Sequence, residues 1–374
     1  MNKCVGLFAG IGGMELGMHA GGFQPALLCE ILPEAQAVLR ERFPGVDIRP
    51  DVKTIRSIPS DISLICAGFP CQDLSSSGHK RGIAGLRSSL VGEVFRLLAR
   101  KTCDWILLEN VRFMLHLGGG EAMKHITEAL EDLGYRWAYR VMNSQNFGVP
   151  QRRERVYILA SKKLNPAGVL FREPVDAPPT IDKPTDISAP VGFYWTEGTY
   201  ATGLAADALP PLKGGSTIGI PSAPAILFPS GLVGTPDLRD AERMQGFSEN
   251  WTSAAEQVVK PSFRWKLVGN AVTVNVCQWI AEGLLSPSDI GPKVFHPHNT
   301  QRWPDAAFGE RGKVWRVDGA YGPFNHASLS SFLQYPTKPL SNRAITGFLV
   351  RALKGNLKYP DGFIEALTRY SKAL

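Results

Sequence analysis

A cysteine held in a stiff turn is the first group in this sequence that could do covalent chemistry. Gly68-Phe69-Pro70-Cys71-Gln72 follows an apolar run, residues 62–67, with the length of a buried strand. Pro70 fixes its own φ and biases Phe69 toward extended geometry, so Cys71 is presented at the strand's end. Once deprotonated, a thiol there can attack an electrophilic carbon. Glu109 of Glu109-Asn110-Val111 ends a second apolar run, residues 105–108. If both strands belong to one parallel sheet, thiol and carboxylate share an edge although 38 residues separate them. The plainer readings are a small buried cysteine and a helix-capping acid. Gln151-Arg152-Arg153-Glu154-Arg155 opens a further strand, and alternation points Gln151, Arg153 and Arg155 to one side. The guanidinium forks of the arginines suit phosphate or a carbonyl oxygen, and a surface salt-bridge run is the alternative.

A second site is legible near the N-terminus. Phe8-Ala9-Gly10-Ile11-Gly12-Gly13 links a short strand to a helix, and glycine there lets a ligand approach the backbone closely. In an open parallel sheet such turns lie at the carboxyl ends of the strands, where ligands bind. Glu30, ending the next strand, is placed to bind a ribose hydroxyl, and Asp51 to accept from an adenine amino group. The 17-residue interval from Gly13 to Glu30 suits a nucleotide or S-adenosylmethionine equally. Residues 73–85, rich in Ser and Gly with His79, Lys80 and Arg81, read as a basic loop able to close over a substrate, or as an ordinary solvated loop.

The elements that must position these groups follow from periodicity. Strand-like runs at 3–8, 26–30, 62–67, 105–109, 135–143 and 155–160 alternate with helical spacing at 14–20, 32–43, 89–99 and 121–133. That alternation predicts an α/β fold with a mostly parallel sheet covered by helices. The pattern changes at 165: residues 165–235 hold 11 Pro and 9 Gly, and helical signals return only at 237–245 and 272–285. Residues 287–374 carry 12 Lys/Arg against 6 Asp/Glu, most of the chain's net charge of +7, and enough aromatic residues to fold. Six cysteines without a CxxC pair argue against a zinc site or a disulfide framework and fit a reducing cytoplasm. The sequence offers no apolar run long enough to span a membrane and no secretory leader.

Taken together, LFAGIGGMELG, Cys29-Glu30, GFPCQDLSSSG, ENV, QRRER, RMQGF and VGNAV resemble, in order, the cytosine-C5 DNA methyltransferase family of bacterial restriction-modification type. The resemblance covers roughly residues 3–163 and 236–285. It implies a Rossmann-like S-adenosylmethionine-dependent methyltransferase sheet and a smaller target-recognition domain. By it, residues 1–164 and 262–286 form the catalytic domain, 165–261 the recognition domain and hinge, and 287–374 a basic C-terminal extension. Cys71, Glu109, Arg153 and Arg155 become the catalytic set, with Arg153 holding O2 of the base. Phe8, Gly10, Gly12, Glu30, Ile31, Asp51, Val52, Pro70, Leu90, Asn270 and Val272 become cofactor contacts, and Gln72, Ser75, Lys80 and Arg81 DNA contacts. Asp51 follows Arg49-Pro50, a departure from the pattern, and the motifs say nothing about residues beyond 286.

The resemblance further implies S-adenosylmethionine as cofactor and S-adenosylhomocysteine as product, no metal, and double-stranded DNA as partner. It implies a monomer on DNA, in the cytoplasm, with any companion restriction endonuclease acting separately. An RNA cytosine methyltransferase on the same scaffold and a catalytically silent DNA-binding protein are the competing readings. A nicotinamide-dependent dehydrogenase would explain the Gly-rich turn but not the GFPCQ turn.

Overall fold

The structure, a computed structural model, describes residues 2–70, 89–175, 183–214, 223–289, 291–299 and 302–374. The chain forms two compact units. The first comprises Met1–Asn143, Glu154–Pro178 and Val274–Pro323, and the second Ser144–Arg153, Pro179–Thr273 and Phe324–Leu374.

The first unit is built on a ten-stranded sheet. Strands β1 (Asn2–Leu7), β2 (Phe23–Cys29), β3 (Asp47–Arg49), β4 (Leu64–Gly68) and β5 (Trp105–Val111) lie side by side in the order β3-β2-β1-β4-β5, all parallel. Beyond β5 come β7 (Glu154–Ser161), antiparallel to it, and β6 (Arg136–Asn143), antiparallel to β7. The link between β6 and β7 is too short for the crossover that a parallel pair needs, so the reversal follows from its length. Three strands from late in the chain, Ala306–Glu310, Lys313–Asp318 and Val294–Pro297, extend the sheet past β6 by antiparallel pairing. β1 to β6 and Lys313–Asp318 therefore run one way and three strands the other, an α/β sheet that is mostly parallel.

Local signals explain the helices on this sheet. α1 (Gly13–Ala20) starts from the left-handed Gly12. α2 (Pro33–Arg42) has proline in its first turn, where no intrahelical donor is needed. α3 (Leu90–Arg100) is capped by Ser89, whose hydroxyl accepts from Gly92 N at 3.2 Å. α4 (Glu121–Asp132) buries Met123, Ile126 and Leu130 at helical intervals. The helix Val274–Leu285 packs against α1, where a Cβ on Gly17 would lie 2.6 Å from Val274 O. The core runs through Val5, Ile65, Ile106, Phe95, Ile126 and Ile158 to Trp137, Tyr139 and Trp303.

The second unit has a five-stranded antiparallel sheet in the order Ala205–Ala206, Val191–Phe193, Ala225–Leu227, Val233–Thr235, Lys338–Pro339. Alternation divides Ala225–Leu227 between two cores. Ala225 and Leu227 join Phe193, Val233, Ile345, Phe348, Phe363 and Leu367 in one, under the helices Asn342–Lys354 and Phe363–Ala373. Ile226 joins Leu209, Met244, Val268 and Leu329 in the other.

Two expectations change. Residues 287–374 do not stand apart as one extension: the part up to Pro323 belongs to the first unit and the remainder to the second. The physical reason is pairing. Ala306–Glu310 satisfies the open edge of β6, and Lys338–Pro339 that of Val233–Thr235. Likewise, 262–273 belongs to the second unit, and the first resumes at Val274. Among the described residues no helix is long and apolar enough to cross a membrane.

Candidate active site

Five parallel strands carry the candidate groups of the first unit to one edge of its sheet. After β1, the turn is tied down by Ala9 N donating to Cys29 O at 2.9 Å and Gly12 N to Ala9 O at 2.8 Å. Phe8 takes the left-handed φ of 58°, an arrangement costing on the order of 1 kcal/mol that persists only where the surroundings enforce it. Gly12 is needed for packing, since a Cβ there would lie 2.3 Å from the Phe43 ring. Gly10 differs: its φ is 56° and a Cβ would meet nothing within 4 Å among the described residues. It opens onto space, as a ligand cradle requires.

Glu30, at the end of β2, is 8% exposed and uses both carboxylate oxygens. One accepts from Gly10 N at 2.7 Å and the other from Leu32 N at 2.9 Å. Each oxygen keeps a second acceptor direction, so Glu30 shapes the turn and can still accept from a ligand hydroxyl. Its neighbour Ile31 is 68% exposed, an isolated apolar side chain at the same strand end. Asp51 follows β3 and caps the turn Val52–Thr54, accepting from Lys53 N at 2.9 Å, while Val52 is buried. Leu90 is half-buried at the start of α3, and Pro70 is exposed after β4. Gly10, Glu30, Ile31 and Asp51 thus present an open turn, a hydroxyl acceptor, an apolar flank and an amino acceptor, a donor set that fits an adenosyl ligand. Asn270, exposed, and Val272, half-buried, end and follow the helix Arg264–Asn270 of the second unit.

β4 and β5 supply the chemistry. Gly68 and Glu109 are register partners. Asn110 Nδ2 donates to Phe69 O at 2.9 Å, fastening the turn after β4 to the end of β5. Glu109 is buried, and its Oε1 lies 3.2 Å from Nε of Arg155, which stands on the neighbouring β7. This carboxylate–guanidinium pair is 10% and 16% exposed at its side chains, so each charge depends on the other. Cys71, Gln72, Ser75, Lys80 and Arg81 lie outside the described residues. The five described cysteines, Cys4, Cys29, Cys66, Cys103 and Cys277, are all buried. Burial pushes the Cys29 and Cys103 thiols up to about 12, which makes them poor nucleophiles.

Arg153 is 2% exposed in the second unit. It donates to the carbonyls of Ala271 at 2.8 Å, Gly269 at 3.2 Å and Leu212 at 3.3 Å, joining the VGNAV segment to residues 210–214. Gln151, fully buried, donates to Met244 O at 3.0 Å and accepts from Leu212 N at 2.9 Å. Gln245 of the RMQGF segment donates to Val268 O at 2.9 Å and accepts from Thr273 Oγ1 at 3.0 Å. The sequence left two residues of this kind unnoticed. Glu15 is a carboxyl 1% exposed that packs against Gly6 of β1, and only its place in the helix after the turn hints at it. Arg112, immediately after ENV, joins Glu154 at 2.8 Å to Asp305 at 2.7 Å. Among the described residues no three His, Cys, Asp or Glu side chains gather around a metal position.

The first unit is an open α/β sheet with an open glycine turn at one strand end and a buried acid–guanidinium pair two strands away. The chain belongs to the C-5 cytosine-specific DNA methylase family, which matches residues 2–189, and it is a DNA cytosine-C5 methyltransferase. It is 46% identical over 380 residues to the type II methyltransferase M2.BsuMI of Bacillus subtilis, covering 98% of this chain and 97% of that one. M.Bsp6I, a type II methyltransferase of a Bacillus species, is 28% identical over 316 residues, covering 76% and 98%. In fold, the chain is similar to the Dnmt2 methyltransferase of S. pombe, with a TM-score of 0.55 at 17% identity over 78% of this chain and all of that one.

Proposed function

We propose that this enzyme methylates C5 of a cytosine turned out of duplex DNA, through a covalent bond between Cys71 and C6. The observation that supports this reading best is the Glu109–Arg155 pair at 3.2 Å beside the strand that leads into Pro70-Cys71. C5 of an aromatic cytosine is a weak nucleophile. Addition of the Cys71 thiolate to C6 breaks the aromaticity and forms an enamine with electron density at C5. Glu109 hydrogen-bonds N3 and the exocyclic amine, stabilising the protonated adduct. Arg155 holds Glu109 in place and offers its remaining donors to O2. We give O2 to Arg155 rather than Arg153, because three backbone carbonyls already engage Arg153.

S-adenosylmethionine supplies the electrophilic methyl group. Gly10, Glu30, Ile31, Asp51 and Val52 bind and orient it, with Phe8, Gly12, Pro70 and Leu90 completing its surroundings in the first unit. After C5 is alkylated it loses its proton to solvent, and β-elimination breaks the S–C6 bond and returns the Cys71 thiolate. A stacked base exposes neither carbon to such attack, so the base rotates out, with Gln72, Ser75, Lys80 and Arg81 contacting the duplex. The second unit reads the target sequence. The biological role is that of a modification enzyme in a restriction-modification system, with any endonuclease acting as a separate protein and the methylase as a monomer in the cytoplasm.

The test is covalent trapping. Duplex DNA carrying 5-fluorocytosine at the target, with S-adenosylmethionine, should give a denaturant-stable complex with wild type, because fluorine cannot leave as a proton. Cys71→Ala should form none and transfer no methyl groups while still binding DNA. Comparable methylation by Cys71→Ala would overturn the assignment.

A further inference from the structure

Tyr200, in the second unit, is 91% exposed, more than any other large apolar side chain among the described residues. A single exposed tyrosine is ordinary. What distinguishes this one is how firmly its loop is held. Tyr194 N donates to Thr202 O at 2.8 Å, closing the loop at its base. Tyr194 Oη donates to Pro211 O at 2.7 Å, and Lys213 lies 3.7 Å above the Tyr194 ring while pairing with Glu197. The remaining anchors come from the last part of the chain. Arg351 donates to Trp195 O at 2.8 Å and to Glu197 O at 3.1 Å. Tyr359 Oη donates to Gly198 O at 3.2 Å. Gly198, at φ 145°, sits so close to the helix Asn342–Lys354 that a Cβ would lie 3.1 Å from Cβ of Arg351.

Hydrogen bonds to the backbone carbonyls of Trp195, Glu197 and Gly198 fix the loop's path and leave its tip outside. This is a preorganised projection: the ordering cost of the backbone is met during folding, before any partner arrives. A tyrosine ring presents a large apolar face with few rotatable bonds, together with a phenolic donor and acceptor. Bases in duplex DNA offer a matching π-face and groove-edge polar groups. We propose that Tyr200 is a specificity-determining residue that contacts a base of the target site, and that Arg351 and Tyr359 are positioning residues that hold it outward. The inference rests on the reading that the second unit recognises DNA. It gives the last part of the chain a share in target choice beyond carrying positive charge.

The test measures methylation across a library of duplex sites by bisulfite sequencing, with initial rates on the preferred site. The Tyr200 ring is 91% exposed among the described residues, so Tyr200→Ala should keep the wild-type melting temperature and cofactor affinity. It should lose about tenfold or more in kcat/KM on the preferred site and relax the preference at one or two positions. Tyr200→Phe should recover most of the rate. Arg351→Met should shift the preference in the same direction, Arg351→Lys should partly restore it, and adding Arg351→Met to Tyr200→Ala should change the preference no further. Wild-type rate and preference in Tyr200→Ala would overturn the proposal while leaving the function of the unit intact. A preference that stays fixed when residues 179–273 and 324–374 are exchanged together for those of a relative would instead overturn the reading of the unit.

Discussion

Single residues in this enzyme owe their chemistry to what surrounds them. Glu15 and Glu109 are both buried carboxyls on the same sheet, yet only Glu109 has a guanidinium beside it. Oε2 of Glu15 has no hydrogen-bond partner among the described residues, and burial, with the nearby Glu30 charge adding to it, pushes its pKa up to about 8. The folded state therefore keeps a proton that the unfolded chain releases near 4.5. The sign follows from linkage: this stability is fully present below about pH 4.5 and is lost as pH rises toward about 8. Glu15→Gln should remove that loss. Its unfolding free energy, measured in urea, should match wild type at low pH and exceed it increasingly up to pH 8, by about a few kcal/mol. Parallel curves for the two proteins across that range would show that Glu15 ionises freely.

Elements explain why the two neighbouring glycines of the first turn should respond oppositely to a methyl group. Gly12→Ala drives a Cβ into the Phe43 ring and should destabilise the first unit by roughly 2–4 kcal/mol, measured by denaturant unfolding. Gly10→Ala meets open space, so it should cost only about 1 kcal/mol of stability while weakening S-adenosylmethionine binding at least tenfold by calorimetry. Unaltered cofactor affinity in Gly10→Ala would move the cofactor away from this turn. The elements themselves were largely legible in the sequence. Helical spacing at 121–133 becomes Glu121–Asp132, and the apolar run at 105–109 becomes Trp105–Val111. Periodicity works there because each element buries a long face against one sheet. It misses Asp47–Arg49, whose three residues are too few to show alternation, and the short strands of the second unit, which pair across long intervals of chain. Of the site, residue types and strand ends were readable. The engagement of Arg153 with three carbonyls was not, since its partners lie 59 to 118 positions away in sequence.

At the scale of the whole molecule, the expected three-part division gives way to two units made of interleaved segments. The chain passes between them after residues 143, 153, 178, 273 and 323. Phe193 and Phe363 touch at 5.2 Å between ring centroids although they come from different segments of the second unit. Exchanging 179–273 alone with a relative should therefore leave mismatched partners for Lys338–Pro339 and Phe363 and lower the melting temperature. Exchanging 324–374 together with it should restore stability and transfer the donor's methylated sequence, read by bisulfite sequencing. A chimera of 179–273 alone with full stability and the donor's target would show that 324–374 contributes nothing to that unit.

Interleaving also bears on how such a gene can be divided or rebuilt. A break after residue 178 leaves neither fragment with a complete unit, because Ser144–Arg153 stays with one piece and Val274–Pro323 with the other. Two half-genes split there would give activity only if their products reassembled in both units at once. For the same reason, fusing a foreign end to this chain cannot install a new recognition unit. A lineage acquiring a new target in one step must recombine internally, at matched joints, or alter single positions in place.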